Sequence, residues 1–201
     1  MIIETFEQYS EEWWAARVGI PTASKFSEII TSTGKKSASW QKYAYKKAAE
    51  IEMGKVETTF QSASMLRGLE LEPEARKAYI FITGIEVEEV GVVYQDEKKL
   101  WSCSPDGLCL VAKKGLEIKC FEAAAHKQCC HKQEIPTKYK PQVFGSLWIC
   151  DEIDEWDFMS YHPDMKPFIT TVDRDNAEYK KYVEVLAGFL PEVSEFIKNV
   201  A

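Results

Sequence analysis

The sequence predicts an α/β or α+β fold in which helices flank a mixed sheet. Helical periodicity dominates the first part of the chain, and short strand-like runs occupy residues 87–120. Further helices and strands follow, and the chain closes on a long amphipathic helix. This order is typical of a sheet with helices packed against it. The 201 residues, 45% of them apolar, suffice for one packed core. No repeat or low-complexity linker divides them, so we expect a single domain over residues 1–201.

Four helices are predicted before the first strand. They cover residues 7–17, 24–31, 39–53 and 62–82. The second helix follows Thr22-Ala23-Ser24, residue types that are favoured as helix caps. The third and fourth are expected to end at Gly54 and Gly84, because glycine readily adopts the left-handed backbone that terminates helices. An approximate apolar stripe runs along the fourth helix from Met65 to Ile82.

After Gly84 the periodicity changes from helical to strand-like. Short runs with polar turns between them predict strands at 92–94, 100–103, 107–111, 115–120, 155–161 and 168–172. Helices are predicted at 122–132, 138–150 and 175–199. Pro136 and Pro141 stand near the start of the helix at 138–150, where proline is tolerated.

The charge is negative overall but unevenly distributed. A net charge of −7 excludes a uniformly basic nucleic-acid binder, although it allows a local basic patch. Residues 86–97 and 151–157 are acidic blocks without a compensating base. Residues 35–55 and 113–140 each carry a local charge of +4. Each run can be an ordinary solvated face, or the basic runs can form one surface for a polyanion, and charge alone does not decide between them.

The sequence also predicts a reduced cytoplasmic protein. No apolar run approaches the ~20 residues that a membrane-spanning helix needs, and the N-terminus lacks the features of a secretory signal. The six cysteines are not spaced as in a small disulfide scaffold. We therefore expect no membrane association.

The most informative residues form the pattern P-D-x10-E-x-K. Asp106 opens one predicted strand, and Glu117 and Lys119 lie on the next, on the same face because side chains alternate along a strand. A turn around 113–115 folds the second strand back, so Asp106 and Glu117 can converge. Ile118 and Cys120 point the other way, into apolar packing.

Two carboxylates and a lysine in this arrangement suit phosphodiester hydrolysis. The carboxylates supply hard oxygen ligands to Mg²⁺, which polarises a phosphoryl oxygen and lowers the pKa of a bound water. A lysine two residues from Glu117 can orient that water or stabilise negative charge at phosphorus. The alternative is an ordinary hairpin with a solvent-facing Glu–Lys pair, since each tripeptide alone is common.

The sequence resembles the phage lambda-type 5′→3′ double-strand DNA exonucleases, an alkaline exonuclease and viral recombinase family of the PD-(D/E)xK nuclease superfamily. Ordered segments between residues 13 and 166 carry the resemblance. They are 14–24 (WAARVGIPTAS), 68–76 (GLELEPEAR), 103–108 (CSPDGL) with 116–120 (LEIKC), 139–148 (YKPQVFGSLW) and 161–165 (YHPDM). The resemblance implies a restriction-endonuclease-like core with a mixed central sheet.

The resemblance also implies roles for individual residues at the metal centre. Asp106 and Glu117 would bind Mg²⁺, or Mn²⁺ in its place, helped by the Ile118 carbonyl. Lys119 would position or activate the attacking water. Glu72 would complete the acidic site.

Further implied roles concern the DNA. Gln142 would hold the scissile region or the nucleophile, with Tyr139 nearby, although Pro141 leaves the placement of Tyr139 open. A pocket for the 5′-phosphate would be formed by Arg17, Ser24 and Ser104. Met65 takes the place of an apolar residue that could separate the last base pair. From the residues alone, Arg17 can equally be a surface charge, Ser24 a helix cap and Met65 a packing residue.

The function that the resemblance implies is Mg²⁺-dependent digestion of the 5′-terminated strand of linear duplex DNA to mononucleotides, leaving 3′ overhangs. The resemblance further implies a homotrimeric ring around the DNA, a single-strand annealing partner and action in the cytoplasm of a bacterial host. A restriction-like endonuclease and a non-catalytic DNA-binding module are the alternatives. If the chain is an exonuclease, the acidic blocks 86–97 and 151–157 should face away from the DNA. The lysine-rich segments 35–55 and 113–140 should line it. Lys119, near the end of a strand, should be exposed.

A second cluster combines His126, Cys129, Cys130 and His131. These residue types can bind Zn²⁺, but adjacent cysteines on a helix point in different directions and no second ligand pair follows at zinc-finger spacing. A metal site is therefore the less favoured interpretation, and the nearby lysines can instead follow DNA.

Overall fold

The computed structural model describes residues 1–57 and 63–201. Its strands are β1 (Ile2–Glu4), β2 (Val92–Tyr94), β3 (Ser102–Cys103), β4 (Gly107–Cys109), β5 (Lys114–Cys120), β6 (Glu155–Tyr161) and β7 (Phe168–Asp173). Its α-helices are α1 (Glu11–Ala15), α2 (Trp40–Met53), α3 (Ala63–Thr83), α4 (Ala123–Lys132), α5 (Lys140–Ile149) and α6 (Ala177–Val200). Two 3-10 helices cover Ala23–Glu28 and Thr137–Tyr139.

A mixed four-stranded sheet in the order β4-β5-β6-β7 lies at the centre. Strands β4 and β7 pair antiparallel with their neighbours, whereas β5 and β6 are parallel and are connected through α4 and α5. A smaller antiparallel sheet, β1-β2-β3, lies beside α1. This arrangement confirms the predicted mixed sheet with flanking helices. Strand β1 was not predicted, because three residues are too few to show a period.

Helices cover both faces of the central sheet. On one face, Ala75 and Tyr79 of α3 pack with Leu116 and Ile118 of β5. On the other face, Trp156 and Phe158 of β6 belong to a larger core that includes residues of α2, α5 and α6. The predicted inward direction of Ile118 is confirmed, since its side chain is 4% exposed. Strand β5 therefore presents Glu117 and Lys119 to the opposite face.

The predicted helices are present with changed ends. Helix α2 ends at Gly54, whose φ of 66° is left-handed as expected. Helix α3 matches the prediction, except that its predicted first residue, 62, lies outside the described residues and its apolar stripe is exposed at Met65 and Ile82. Helix α1 is shorter than predicted, because Tyr9 has a φ of 70° and Ser10 caps the helix.

The cap prediction for the second helix is wrong. Thr22, not Ser24, occupies the N-cap position, and the helix is a 3-10 helix that ends at Glu28. Ser24 lies in its first turn and is exposed. The predicted turn at 113–115 also falls earlier, over 110–113, because Lys114 already pairs with Cys109 in the hairpin.

The predicted separation of positive and negative surfaces is contradicted. Lys114 lies opposite Glu155 in the β5–β6 register and forms an ion pair with it, and Lys113 pairs with Asp154. Asp157 is buried beneath Tyr79, which donates a 2.7 Å hydrogen bond to it. Parallel pairing of the two strands therefore joins a basic segment to an acidic one.

Within the described ranges, no helix has the length and apolar character needed to cross a membrane.

Candidate active site

The β4–β5 hairpin brings Asp106 next to the middle of β5. The Asp106 amide donates to the Leu116 carbonyl at 3.0 Å. Its carboxylate Oδ2 accepts a 2.6 Å hydrogen bond from the Ile118 amide. Asp106 is therefore fixed at both its main chain and its side chain, between the two residues that flank Glu117. The predicted convergence of Asp106 and Glu117 is present.

Glu117 is the most buried carboxylate of the cluster, with 1% of its surface exposed. Its Oε1 accepts hydrogen bonds from Lys119 Nζ and from Gln142 Nε2, the latter at 2.5 Å. Its Oε2 is buried and has no hydrogen-bond partner among the described residues. Helix α5 thus supplies Gln142 to the site, and one carboxylate oxygen remains open for a ligand.

Lys119 is held as a cation inside the site and does not extend into solvent. Its side chain is 24% exposed, so the prediction of an exposed strand-end lysine is wrong. Its Nζ lies 5.4 Å from the centre of the Tyr139 ring, and Tyr139 precedes α5. Burial lowers the pKa of Lys119, but Glu117 and Asp106 outweigh that effect and raise it. Pro141 is accommodated in the first turn of α5 and leaves Tyr139 beside the lysine.

Helix α3 adds Glu72 to the site through Arg76, a residue to which the sequence alone assigned no role. Arg76 Nη2 contacts Glu72 Oε1 at 2.7 Å, and Arg76 Nε donates a 2.7 Å hydrogen bond to the main-chain carbonyl of Asp106. Arg76 Nη1 also pairs with Glu89. The acidic block 86–97 therefore reaches the candidate site at Glu89, contrary to the expectation that it faces away.

Burial raises the pKa of all three carboxylates, and the charge of Asp106 raises the pKa of Glu72 and Glu117 further. Burial raises the pKa of Glu72 to about 8, and the Asp106 charge contributes to that shift. Burial and Asp106 likewise raise the pKa of Glu117 to about 7, although Lys119 opposes them. The pKa of Asp106 is also raised by burial. Negative charge is therefore concentrated beyond what Lys119 and Arg76 neutralise, which is the condition in which a cation binds favourably.

The residues present fit a divalent cation held by two carboxylates. Asp106 and Glu117 are adjacent oxygen donors, and the unpartnered Oε2 of Glu117 is directed to no protein group. Hard oxygen ligands of this kind suit Mg²⁺, which keeps several waters and needs few protein ligands. Over residues 1–57 and 63–201, no three His, Cys, Asp or Glu side chains are close enough to hold a metal ion together. The two carboxylates, without Glu72, are thus the residues that would hold it.

A second group of polar side chains joins α1 to the residue that precedes the Pro-Asp pair. Arg17 Nη1 donates to Ser104 Oγ at 2.9 Å, and Trp13 Nε1 donates to the same oxygen at 3.0 Å. The guanidinium lies over the Trp13 ring, 3.9 Å from its centre. Two of the three residues predicted for the 5′-phosphate pocket, Arg17 and Ser104, are therefore in contact. Trp13, not Trp14 where the resembling segment begins, supports the arginine.

Ser24 and Met65 are not brought into either group. The Ser24 hydroxyl lies 3.3 Å from Thr22 Oγ1. Thr22 forms a β-bridge with Ser102, so the segment follows the same strand edge that leads to Ser104, but no described contact joins Ser24 to Arg17. Met65 is 52% exposed in the first turn of α3, about two turns before Glu72.

Three residues near the site carried no separate prediction: Arg76, Trp13 and Tyr9. Arg76 is the last residue of the 68–76 segment that carries the family resemblance, and this position was a sequence signal that could have identified it. Trp13 stands four residues before Arg17, one helical turn away, which would place it beneath the arginine. Tyr9 gave no sequence signal, because a left-handed backbone at a tyrosine cannot be read from residue type.

His126 of the second cluster is hydrogen-bonded within the protein. His126 is fully buried, with Nδ1 2.7 Å from Ser160 Oγ and Nε2 3.1 Å from the Lys166 carbonyl oxygen. Both ring nitrogens are therefore used within the protein. Burial lowers the pKa of His126, as expected for a neutral core histidine.

The chain is similar to a viral recombinase family and to solved exonuclease structures. A model of the YqaJ-like viral recombinase domain matches residues 12–152. An alkaline exonuclease from Laribacter hongkongensis is similar with a TM-score of 0.79 and 32% identity, over 95% of this chain and 96% of that one. The same enzyme in complex with dAMP gives a TM-score of 0.78 and 31% identity over the same shares of both chains.

A more distant structure shares the fold. A phage-related exonuclease from Haemophilus somnus 129PT has a TM-score of 0.63 at 16% identity, over 90% of this chain and 96% of that one. Among curated protein sequences, none matches the chain significantly.

Proposed function

The chain belongs to the family of YqaJ-like viral recombinase domains, and from this premise we propose that it is a DNA exonuclease. The resemblance to lambda-type exonucleases and the PD-(D/E)xK fold are confirmed by this membership and by the structural match. In full, the proposal is Mg²⁺-dependent 5′→3′ digestion of one strand of linear duplex DNA to mononucleotides, leaving 3′ overhangs.

One observation carries the proposal of hydrolysis. Asp106 and Glu117 lie side by side, with Lys119 and Gln142 both bonded to the same Glu117 oxygen. A solvent-facing hairpin would not bury a glutamate to 1% exposure or leave one of its oxygens without a partner. Uncompensated polar groups in a buried cluster are typical of sites that bind a ligand or carry out chemistry.

The relatives support a DNA substrate and a mononucleotide product. The Laribacter hongkongensis protein is an alkaline exonuclease, and it has been crystallised with dAMP. A deoxynucleoside monophosphate is what an exonuclease releases when it cuts one nucleotide at a time. The same product class is therefore proposed for this chain.

In the proposed hydrolysis, some side chains hold the divalent cation and others position the carboxylates and the nucleophile. Asp106 and Glu117, with the Ile118 carbonyl, would hold the divalent cation. When bound there, such a cation polarises the phosphoryl oxygen and lowers the pKa of its water. Lys119, paired with Glu117, stabilises negative charge that develops at the phosphate. Gln142 orients the Glu117 carboxylate and the nucleophile beside it, and Arg76 fixes Asp106 and Glu72 relative to each other.

The Arg17–Ser104 pair supports 5′→3′ polarity. A guanidinium has five N–H donors, and Ser104 uses one of those of Arg17, so donors remain for the oxygens of a phosphate. Ser104 is two residues before Asp106, which places this anion-binding pair next to the carboxylates. A terminal 5′-phosphate bound here would direct the adjacent phosphodiester to Asp106 and Glu117.

End-labelled linear duplexes test reaction, polarity and cofactor together. We expect 5′-labelled strands to release labelled mononucleotide from the first turnover with Mg²⁺, and no release in EDTA. A 3′ label should appear in mononucleotide only late. Cutting of sealed circular duplex would contradict the exonuclease proposal and favour a restriction-like endonuclease, and absence of any cutting would favour a non-catalytic module.

Thermal unfolding tests the cation site without relying on activity. Mg²⁺ at ~100 times its Kd should stabilise the folded chain by ~2.7 kcal/mol relative to EDTA. Mn²⁺ should act similarly. Asp106→Asn should lose most of this response, and the control Asp175→Asn, at an exposed ion pair with Lys180, should keep it. An undiminished response in Asp106→Asn would remove Asp106 from the ligand set.

The remaining proposals concern assembly and context. The family resemblance supports a homotrimeric ring that encircles DNA, a single-strand annealing partner in recombination and action in the cytoplasm of a bacterial host. Light scattering tests the trimer directly. We also propose that residues 1–201 act as one nuclease domain, since α6 packs in the same core as α2 and α5.

A further inference from the structure

Tyr9 combines an unfavourable backbone with an exposed ring. Its φ of 70° lies in the left-handed region, which is costly for a residue with a side chain and is normally left to glycine. Its ring remains 44% exposed, so burial of the aromatic surface does not account for a tyrosine here. Bulky residues held in this conformation are concentrated at functional sites.

The residue before Tyr9 anchors it beside Asp106. Gln8 Nε2 donates to the Pro105 carbonyl and to the Val90 carbonyl, each at 2.9 Å. Pro105 immediately precedes Asp106, so the two anchoring bonds hold the loop of Tyr9 against the start of β4. Ser10 on the other side caps α1 by accepting from the Trp13 amide at 3.2 Å. The position of Tyr9 is thereby fixed at both neighbours.

The Tyr9 ring belongs to the aromatic cluster that supports the Arg17–Ser104 pair. It packs on Trp13, with ring centres 4.8 Å apart, and Trp13 also carries the Arg17 guanidinium. Trp13 in turn donates to Ser104. The aromatic pair therefore lies beside the proposed 5′-phosphate pocket.

The surroundings of the Tyr9 hydroxyl keep it a hydrogen-bond donor. Partial burial raises the pKa of Tyr9, and the negative charges of Asp106 and Glu72 raise it further, so the phenol stays protonated. Lys119 and Arg17 are also close enough to act on it electrostatically. No hydrogen bond to this hydroxyl is formed by residues 1–57 and 63–201. An exposed, protonated donor thus lies near two places where phosphate oxygens are expected.

We propose that Tyr9 is a substrate-contacting residue whose hydroxyl donates a hydrogen bond to a phosphate oxygen of the terminal nucleotide of a DNA strand. The ring, stacked on Trp13, holds the donor at the boundary between the Arg17–Ser104 pair and the carboxylates. This inference rests on the proposed function, because it takes the DNA end as the ligand, and it adds a contact that sets the position of the first phosphodiester.

Two substitutions separate contact with DNA from packing. Tyr9→Phe keeps the ring and removes the donor, and should lower kcat/KM on linear duplex about 10-fold with an unchanged unfolding midpoint. Tyr9→Gly removes the ring but relieves the left-handed backbone, so it should lower activity at least as far with little loss of stability. Tyr45→Phe, at an exposed tyrosine on α2, is the matched control and should change nothing.

Binding measured without turnover keeps this inference separable from the proposed function. In EDTA, the Kd of Tyr9→Phe for a 5′-phosphorylated duplex should rise about 10-fold over the unsubstituted chain, and that of Tyr45→Phe should not. If Tyr9→Phe has the same kcat/KM and Kd as the unsubstituted chain, the proposed contact is overturned even when the chain is an active nuclease. An unsubstituted chain that cuts no DNA but shows this difference in Kd would overturn the proposed function and leave the contact standing.

Discussion

Replacing Arg17 by alanine should remove the preference for 5′-phosphorylated ends. The guanidinium is half-buried, supported on the Trp13 face at 3.9 Å and bonded to Ser104 at 2.9 Å, so its remaining donors are fixed in direction. A hydrogen bond between charged partners contributes about 1.5–3 kcal/mol, which corresponds to a factor of about 10–150. The ratio of initial rates on 5′-phosphate and 5′-hydroxyl ends should fall by that factor, or to one if the preference is smaller.

The assay is competitive digestion of two linear duplexes that differ only in the terminal phosphate. Arg17→Lys keeps the charge but loses the planar fork, so it should retain an intermediate ratio. Lys25→Ala, an exposed cation on the neighbouring 3-10 helix, is the control and should keep the ratio of the unsubstituted chain. If Arg17→Ala slows both substrates equally, Arg17 supports Trp13 and Ser104 structurally and does not bind the end.

Four further substitutions test the site and the sheet beneath it. Lys119→Ala should reduce kcat by about 100-fold or more on the folded protein, because a fixed cation at the reacting phosphate is lost. Retained activity would exclude Lys119 from the chemistry. Gly115→Ala should lower stability by about 1–3 kcal/mol, since its Cβ would lie 2.3 Å from the buried Trp156 ring. Gly188→Ala, in open space on α6, should instead raise the free energy of unfolding by about 0.5–1 kcal/mol. If thermal unfolding shows the same sign of change for both glycine variants, the packing argument is refuted. Tyr79→Phe removes the 2.7 Å bond to Asp157 and should cost about 1–2 kcal/mol in urea unfolding.

Local sequence patterns predicted the core of the candidate site because its geometry is local. Asp106 and Glu117 are eleven positions apart on one hairpin, and strand alternation alone places Glu117 and Lys119 on one face. The pairing of Arg17 with Ser104 was expected only through the family resemblance, since 87 positions separate the two residues. Arg76 and Tyr9 show the limit of such patterns, because their roles depend on a main-chain carbonyl and a backbone angle.

The two predictions that proved wrong, for Lys119 and for the acidic block 151–157, failed for the same physical reason. Lys119 was expected in solvent, but its Nζ pairs with the buried Glu117 and lies 5.4 Å from the ring of Tyr139, which precedes α5. The acidic block 151–157 was expected on a separate surface, but the parallel register of β5 and β6 sets Glu155 against Lys114. Both outcomes depend on which element packs on which, and such contacts leave no period in the sequence.

By itself, the sequence determined the order of helices and strands, the hairpin with its two carboxylates and lysine, and the family. These follow from short-range rules: side-chain alternation, capping residues and the spacing of a motif. Only the tertiary structure decided which carboxylate oxygens have hydrogen-bond partners and which negative charge has no cation paired with it. It paired Glu117 with Gln142, tied Glu72 to Asp106 through Arg76, and packed Tyr9 on the Trp13 ring that supports Arg17. Hydrogen bonding and desolvation are properties of the packed surroundings, so the electrostatics of the site emerge only when distant segments meet.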